Sequence, residues 1–364
     1  MTVHIVEDGR AVDTAFLDGP DATRADTSGF RDLLDGLPAQ ARRAWEIGNT
    51  WTVPPTFRTP SRVLCYGMGG SAIGADVAAT LARTRGARPV EVVRQYAQPL
   101  NDPEVLVIAC SCSGETEETL DAFSAAVADK RMALAITTGG RLAARARMAE
   151  TPLLTYNWGG PPRAAFGFGL FTLLGVLTRL DVIDIDEEEV EAALAAIDEE
   201  TACYRLDAPN NPAKRLAVEI GDRVPIIIGP DFLDVAARRF ATEVNENAKR
   251  WAFAAGLPEF NHNAIQALDG SGATTGRMAT LLFDAPCVHP RNRLRVTHTA
   301  TAIERGGGFA RVIETGGTYP LEAIVRATTF ASWVSYYLAM LDGMDPTPTA
   351  SLDAFKSDMA RGEA

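Results

Sequence analysis

Val105-Leu106-Val107-Ile108-Ala109-Cys110-Ser111-Cys112-Ser113-Gly114-Glu115-Thr116 decides the fold of this chain. The apolar run from Val105 to Cys110 reads as a strand buried on both faces. It stops at Ser111, where hydroxyl side chains and a glycine take over. Thr116 to Val127 then has the pattern of a helix. Buried strand, tight turn and helix together are the unit of a parallel α/β sheet. In such sheets ligands bind beyond the carboxyl ends of the strands. Hydroxyls there, with the free N–H groups that open a helix, make an anion site without any lysine. Ser113 and Thr116 could equally be plain helix caps, and the segment alone leaves both readings open.

Outward from this segment the same unit recurs. Arg62–Tyr66 is a short apolar run followed by Gly67-Met68-Gly69-Gly70-Ser71 and an Ala-rich helical stretch. Its lone G-x-G lacks the third glycine of a dinucleotide fingerprint, and no Lys-Ser or Lys-Thr follows, so a nucleotide site is poorly supported. Val92–Arg94, Ala133–Thr137 and Leu153–Tyr156 repeat the strand signal. Phe30–Trp45 has helical spacing, Ala164–Leu180 is a long apolar helix, and the acidic stretch from Asp181 to Glu200 bridges two halves. In the second half, Val224–Ile228 and the helix Leu233–Lys249 form another strand and helix. Strands at Ala279–Phe283 and Arg311–Ile313 and a final helix at Ala323–Leu341 follow. Sequence identity between the halves is not evident. Together the pattern gives an α/β protein with parallel sheets covered by helices.

Composition narrows the classes. At 364 residues the chain is comfortable for two domains, and 46% hydrophobic with 23% charged residues is ordinary for a folded protein. A formal net charge of −12 argues against a nucleic-acid partner. It leaves room for a small phosphorylated ligand held by backbone amides. Five cysteines, an odd and sparse number, indicate no disulfide framework. Cys110 and Cys112 have no second pair to make a zinc site. His289 and His298 flank arginines without metal-ligand spacing, and no G-x-S-x-G elbow is present. Met1–Arg10 is polar, and no uninterrupted apolar stretch is long enough for a bilayer, so a cytoplasmic chain with no membrane partner is expected.

Two loops carry a family resemblance. Tyr66-Gly67-Met68-Gly69-Gly70-Ser71-Ala72-Ile73-Gly74 with Ser111-Cys112-Ser113-Gly114-Glu115-Thr116 resembles the sugar isomerase (SIS) domain. Pro162-Arg163-Ala164-Ala165, Glu246-Asn247-Ala248-Lys249, Pro258-Glu259-Phe260-Asn261-His262-Asn263, and Asp345-Pro346-Thr347-Pro348 with Lys356 are similar to the bifunctional phosphoglucose/phosphomannose isomerases. The similarity runs from about Arg62 to Lys356.

This resemblance implies two SIS domains, each a parallel five-stranded sheet flanked by helices, at 29–184 and 185–364, after an extension at 1–28. It implies a homodimer that interconverts aldose and ketose 6-phosphates through an enediol, with no metal and no cofactor. Gly70, Ser71, Ser111, Ser113 and Thr116 would hold the phosphate. Glu246 would move the proton between C1 and C2, and Arg163 would stabilise the enediolate. His262, from the neighbouring subunit, would assist ring opening. Lys356 and Thr349 would stand near the sugar ring oxygen. The apolar terminal helices, including Trp333, Tyr336 and Tyr337, are expected at the dimer interface.

The residue types suit this chemistry. Removing a proton beside a carbonyl needs a carboxylate base and a cation for the developing oxyanion. Glu243 lies one turn from Glu246, so periodicity cannot choose between them; the motif favours Glu246. His262 could instead be a loop histidine satisfied by Asn261 or Asn263, and Lys356 a surface lysine. Arg163 opens an apolar helix, where a positive charge is unfavourable without a purpose. Two positions depart from the family pattern: Ala264 stands where a glutamate usually follows Asn-His-Asn, and Glu115 replaces an asparagine. The first motivates the alternatives of a noncatalytic sugar-phosphate-binding protein or an isomerase for another phosphosugar.

Overall fold

The computed structural model describes residues 2–6, 12–98, 100, 102–270 and 272–362. The chain opens with β1 (His4–Ile5), α1 (Ala15–Asp18), α2 (Phe30–Asp35) and α3 (Leu37–Asn49). Gly36 and Pro38 divide the single helix expected at 30–45 into the last two of these. The first sheet and its helices follow: β2 (Arg62–Tyr66), α4 (Ile73–Thr84), β3 (Val90–Val93), β4 (Val105–Ser111), α5 (Glu117–Ala128), β5 (Met132–Thr137), α6 (Gly140–Met148), β6 (Leu153–Thr155) and α7 (Phe166–Arg179). Next come α8 (Glu187–Tyr204), α9 (Pro212–Ile220), β7 (Val224–Pro230), α10 (Asp234–Asn247), β8 (Phe253–Leu257), β9 (Met278–Asp284), α11 (Pro290–Arg305), β10 (Phe309–Glu314), α12 (Pro320–Leu341) and α13 (Ala350–Arg361).

The first sheet has the order β3-β2-β4-β5-β6, with every pairing parallel. β4 is buried at every residue, as its unbroken apolar run requires. β2 and β4 are neighbours, and the chain leaves them toward opposite edges of the sheet. That makes their carboxyl ends the switch point, where a crevice opens between diverging loops.

The second sheet, β1-β10-β9-β7-β8, repeats this strand order in its four parallel members. Its fifth strand differs from the expectation. β1 comes from the start of the chain and pairs antiparallel with β10, Ile5 opposite Ile313. A two-residue strand has too little pattern to show in sequence, and here it covers the edge of β10. The opening segment is further tied down where Asp18 meets the Lys214 ammonium at 2.6 Å. It therefore joins the second half of the molecule.

α12 packs against α8, α9 and α10 and is buried at every residue from Leu321 to Met340. A helix that is apolar all round belongs in an interior. Trp333, Tyr336 and Tyr337 are accordingly core residues of one chain, packed on one another, which corrects their assignment to a subunit interface. Each such side chain contributes about 1.5–3 kcal/mol by burial. The charges α12 carries are paired inside: Arg326 reaches Glu199, Glu200 and Glu322. Cys65, Cys110 and Cys112 are buried free thiols, and burial pushes Cys110 up to about 12. Among the described residues no helix is long and apolar enough to cross a membrane.

Candidate active site

The switch point of the first sheet is a hydroxyl-lined turn. Ser111 closes β4, and its Oγ lies 2.9 Å from Thr116 Oγ1 and accepts from Gly114 N at 3.1 Å. Ser113 Oγ accepts from Glu115 N at 3.2 Å. Gly114 takes φ +71°, and a Cβ there would stand 2.0 Å from the Gly139 carbonyl oxygen, so the turn needs glycine. Thr116 occupies the N-cap of α5 but makes no side-chain cap bond, which leaves the opening amides of that helix uncapped by a side chain. The plain capping role therefore does not describe Thr116. Glu115 faces away, clasping Arg141 through its amide at 2.8 Å and Nε at 2.5 Å. Arg141 holds the Glu115 carboxyl below its ordinary pKa.

Ser71 joins the two loops, its Oγ accepting from Cys112 N at 2.9 Å. The loop after β2 then runs onto the turn that carries Arg163. A Cβ on Gly70 would meet Arg163 N at 2.6 Å and Arg163 Cα at 2.7 Å, so glycine lets the backbones touch. Arg163 sits in the 3-10 turn Pro162–Ala164 just before α7, and its side chain is buried. Nε donates to Asn247 Oδ1 at 2.6 Å, and one terminal nitrogen donates to the carbonyls of Pro346 at 2.6 Å and Thr347 at 3.0 Å. Glu246 Oε2 lies 3.5 Å from the same Nε. Burial lowers the Arg163 pKa, against the opposing pull of Glu246 and Glu243.

The structure separates the two glutamates of α10. Glu243 points inward, bound to Arg239 at 2.7 Å and to Ser332 Oγ at 2.9 Å, and burial raises its pKa. Glu246 keeps about a third of its side chain exposed, 35%, beside Arg163. Only the second can meet a ligand. Lys249, Asn247, Pro346 and Thr347 are present in the sequence motifs, but sequence reasoning gave them no role. Lys249 Nζ donates to the carbonyls of Glu246 at 2.6 Å and Pro346 at 2.9 Å, and burial and Arg163 lower its pKa.

Gly70, Ser71, Ser111, Ser113, Thr116, Arg163 and Glu246 thus form one connected wall. Thr349 stands just past the Thr347 carbonyl that Arg163 uses, at the N-cap of α13. His262 and Lys356 are not brought to that wall within this chain. His262 is exposed in the 3-10 turn Glu259–His262 and has no hydrogen-bond partner among the described residues. Neither neighbouring asparagine satisfies it: Asn261 bonds Thr299, and Asn263 bonds Glu259. Lys356 is exposed on α13, a helix with no buried residue among those described. A separate cavity of about 590 Å³ lined by Asp18, Asn211 and Lys214 shares no residue with the wall, and its lysine is already held by Asp18 and the Leu206 carbonyl.

Comparison with known proteins places this arrangement. The bifunctional phosphoglucose/phosphomannose isomerase of Caldicellulosiruptor bescii is 32% identical over 328 residues, covering 89% of this chain and 97% of that protein. The chain belongs to the bifunctional phosphoglucose/phosphomannose isomerase family.

Residues 209–359 of this family member also match the bacterial phospho-glucose isomerase C-terminal SIS domain. A hypothetical protein of Thermus thermophilus shares the fold, with a TM-score of 0.71 at 17% identity over 95% of this chain and 94% of that one. A D-glucosamine-6-phosphate 4-epimerase of Sulfolobus acidocaldarius is 32% identical over 214 residues, covering 58% of this chain and 65% of that protein. As a member of the phosphosugar isomerase family, the chain is an enzyme of the intramolecular oxidoreductase type.

Proposed function

We propose that this enzyme interconverts glucose 6-phosphate, mannose 6-phosphate or both with fructose 6-phosphate through an enediol intermediate, without a metal ion. The observation that carries it is the approach of Glu246 to Arg163, 3.5 Å apart beside a hydroxyl-lined anion turn. The phosphate rests on Ser71, Ser111, Ser113, Thr116 and the amides opening α5, at the positive end of that helix. Glu246 removes the C2 proton of the open-chain aldose and returns it to C1, while the carbonyl oxygen O1 gains charge and then a proton, and the C2 hydroxyl gives up its proton to become the ketone carbonyl. Arg163 stabilises that charge, the part a metal ion plays in other isomerases. His262 of a second copy completes the site and assists ring opening, so the working form is a homodimer. Thr349 attends the ring oxygen; Lys356, exposed on α13 and off the wall within this chain, has a part there only if it too comes from the second copy.

The test is direct. Glucose 6-phosphate and mannose 6-phosphate are supplied separately, and fructose 6-phosphate is measured in chelator-treated enzyme. Product from either supports the proposal; none from both refutes it. A second reading, action on another phosphosugar, draws on the similarity to the 4-epimerase. Turnover of glucosamine 6-phosphate with none of the neutral hexose phosphates would favour it.

A further inference from the structure

We propose that Asn247 is a positioning residue that holds Arg163 with an uncharged acceptor, so that the guanidinium charge stays available to the reacting oxygen. The inference rests on the isomerase reading above and deepens it.

Arg163 divides its side-chain contacts between neutral hydrogen-bond acceptors and one ion pair, to Glu246. Buried guanidinium groups are generally paired with a carboxylate. Here each hydrogen-bond acceptor of its side chain is neutral: the Asn247 amide oxygen at 2.6 Å, and the carbonyls of Pro346 at 2.6 Å and Thr347 at 3.0 Å. The Glu246 carboxylate pairs with Nε as an ion pair at 3.5 Å, farther off than these acceptors. Among the described residues nothing accepts from the second terminal nitrogen.

Asn247 is itself fixed. It is fully buried at the last turn of α10, and its Nδ2 donates to Ser335 Oγ on α12 at 2.9 Å. Ser335 in turn donates to the Ser332 carbonyl at 2.8 Å. The donor bond of Nδ2 settles the amide orientation, so Oδ1 must be the atom that faces Arg163. Asn247 also follows Glu246 directly in sequence, so the clamp on the cation and the carboxylate share one helix end. The other charges around the pair are Glu243, taken up by Arg239 and Ser332, Lys249, and Asp345. An aspartate at 247 would keep the bond to Arg163 Nε and add a second carboxylate. It would neutralise the guanidinium and disfavour the ionised form of Glu246.

The test compares Asn247→Asp with Asn247→Ala, using fructose 6-phosphate as substrate. For Asn247→Asp we expect a folded enzyme by circular dichroism and a KM within about threefold of the parent. Its kcat should be lower by on the order of 10²-fold, with the acid limb of the kcat/KM profile moved to higher pH. Asn247→Ala should lose less kcat and leave the limb in place. A purely structural asparagine gives the opposite order, because aspartate preserves the bond that alanine removes; aspartate milder than alanine, with an unmoved profile, overturns the proposal. Should Asn247→Asp fail to fold, Asn247→Ser decides against Asn247→Ala. Serine keeps a neutral acceptor and should exceed alanine in kcat at equal KM, and equal kcat values overturn the proposal. Glu246→Gln run alongside separates the two levels. If it turns over normally, the isomerase reading of the site fails. If it is inactive while Asn247→Asp is normal, only the present inference fails.

Discussion

Arg163 Nε stands 3.5 Å from Glu246 Oε2, although one residue precedes α7 in the first half and the other ends α10 in the second. The proposed base and the cation that faces it therefore come from different halves. The two halves pack through α10, α12 and α4, and the glycine at position 70 lets the phosphate loop lie on the Arg163 backbone.

Glu246→Gln keeps the shape of the side chain and removes the base. General-base catalysis is worth about 10²–10⁴-fold. A fall of that size in kcat is expected, with fructose 6-phosphate binding retained by calorimetry. Retained turnover would remove Glu246 from the proton transfer.

Gly70→Ala drives a methyl group into the Arg163 backbone. Overpacking of this kind costs about 1–3 kcal/mol. A urea titration should show that loss, and kcat should fall because Arg163 is displaced. Wild-type stability would mean that the two loops are not in contact.

Ser71→Ala deprives the Cys112 amide of its acceptor and loosens the phosphate turn. We expect KM to rise more than kcat falls, and stability to drop by about 1 kcal/mol. A kcat effect with unchanged KM would contradict a phosphate-side role.

Asp345 fastens the segment whose carbonyls hold Arg163. Burial alone would raise its pKa, but the hydroxyls of Thr27 and Ser28 and the Thr347 amide outweigh burial and hold it below the ordinary aspartate value. A carboxyl with a depressed folded pKa stabilises fully above its unfolded value and loses that contribution as pH falls through the folded one. The stability difference between the parent and Asp345→Asn should therefore be constant above about pH 5 and shrink below about pH 4. A difference independent of pH would refute the assignment.

His262 and Glu246 lie apart in one chain, so a shared site can be read from mixed dimers. Glu246→Gln and His262→Ala are each expected to be nearly inactive. Unfolded together and refolded, they should regain part of the activity, because one site of each heterodimer is intact. Light scattering that shows a monomer, or mixing without recovery, would place His262 outside the mechanism.

Much of this is legible in sequence because buried parallel strands have a strong signal. The strand at Arg62–Tyr66 reads to the residue, and the one at Val105–Cys110 differs only by Ser111. The phosphate turn is legible for the same reason, since it must follow such a strand. β8 is not: Phe253–Leu257 is short, contains two alanines and a glycine, and is largely unburied. α9 and α11 open at Pro212 and Pro290, and their mixed polar composition hides the period. The role of Glu246 over Glu243 cannot be read from period, because both sit on the same side of α10; burial against Arg239 and Ser332 separates them. Trp333, Tyr336 and Tyr337 mislead because an apolar surface for a partner and an apolar core helix have the same composition.

The measurement that bears most directly on the account is proton NMR of the enzyme with fructose 6-phosphate in D2O. An enediol formed by Glu246 exchanges its mobile proton with solvent. The account predicts glucose 6-phosphate, mannose 6-phosphate or both, carrying deuterium at C2. A sample that binds fructose 6-phosphate yet gives neither aldose product nor deuterium exchange would contradict it.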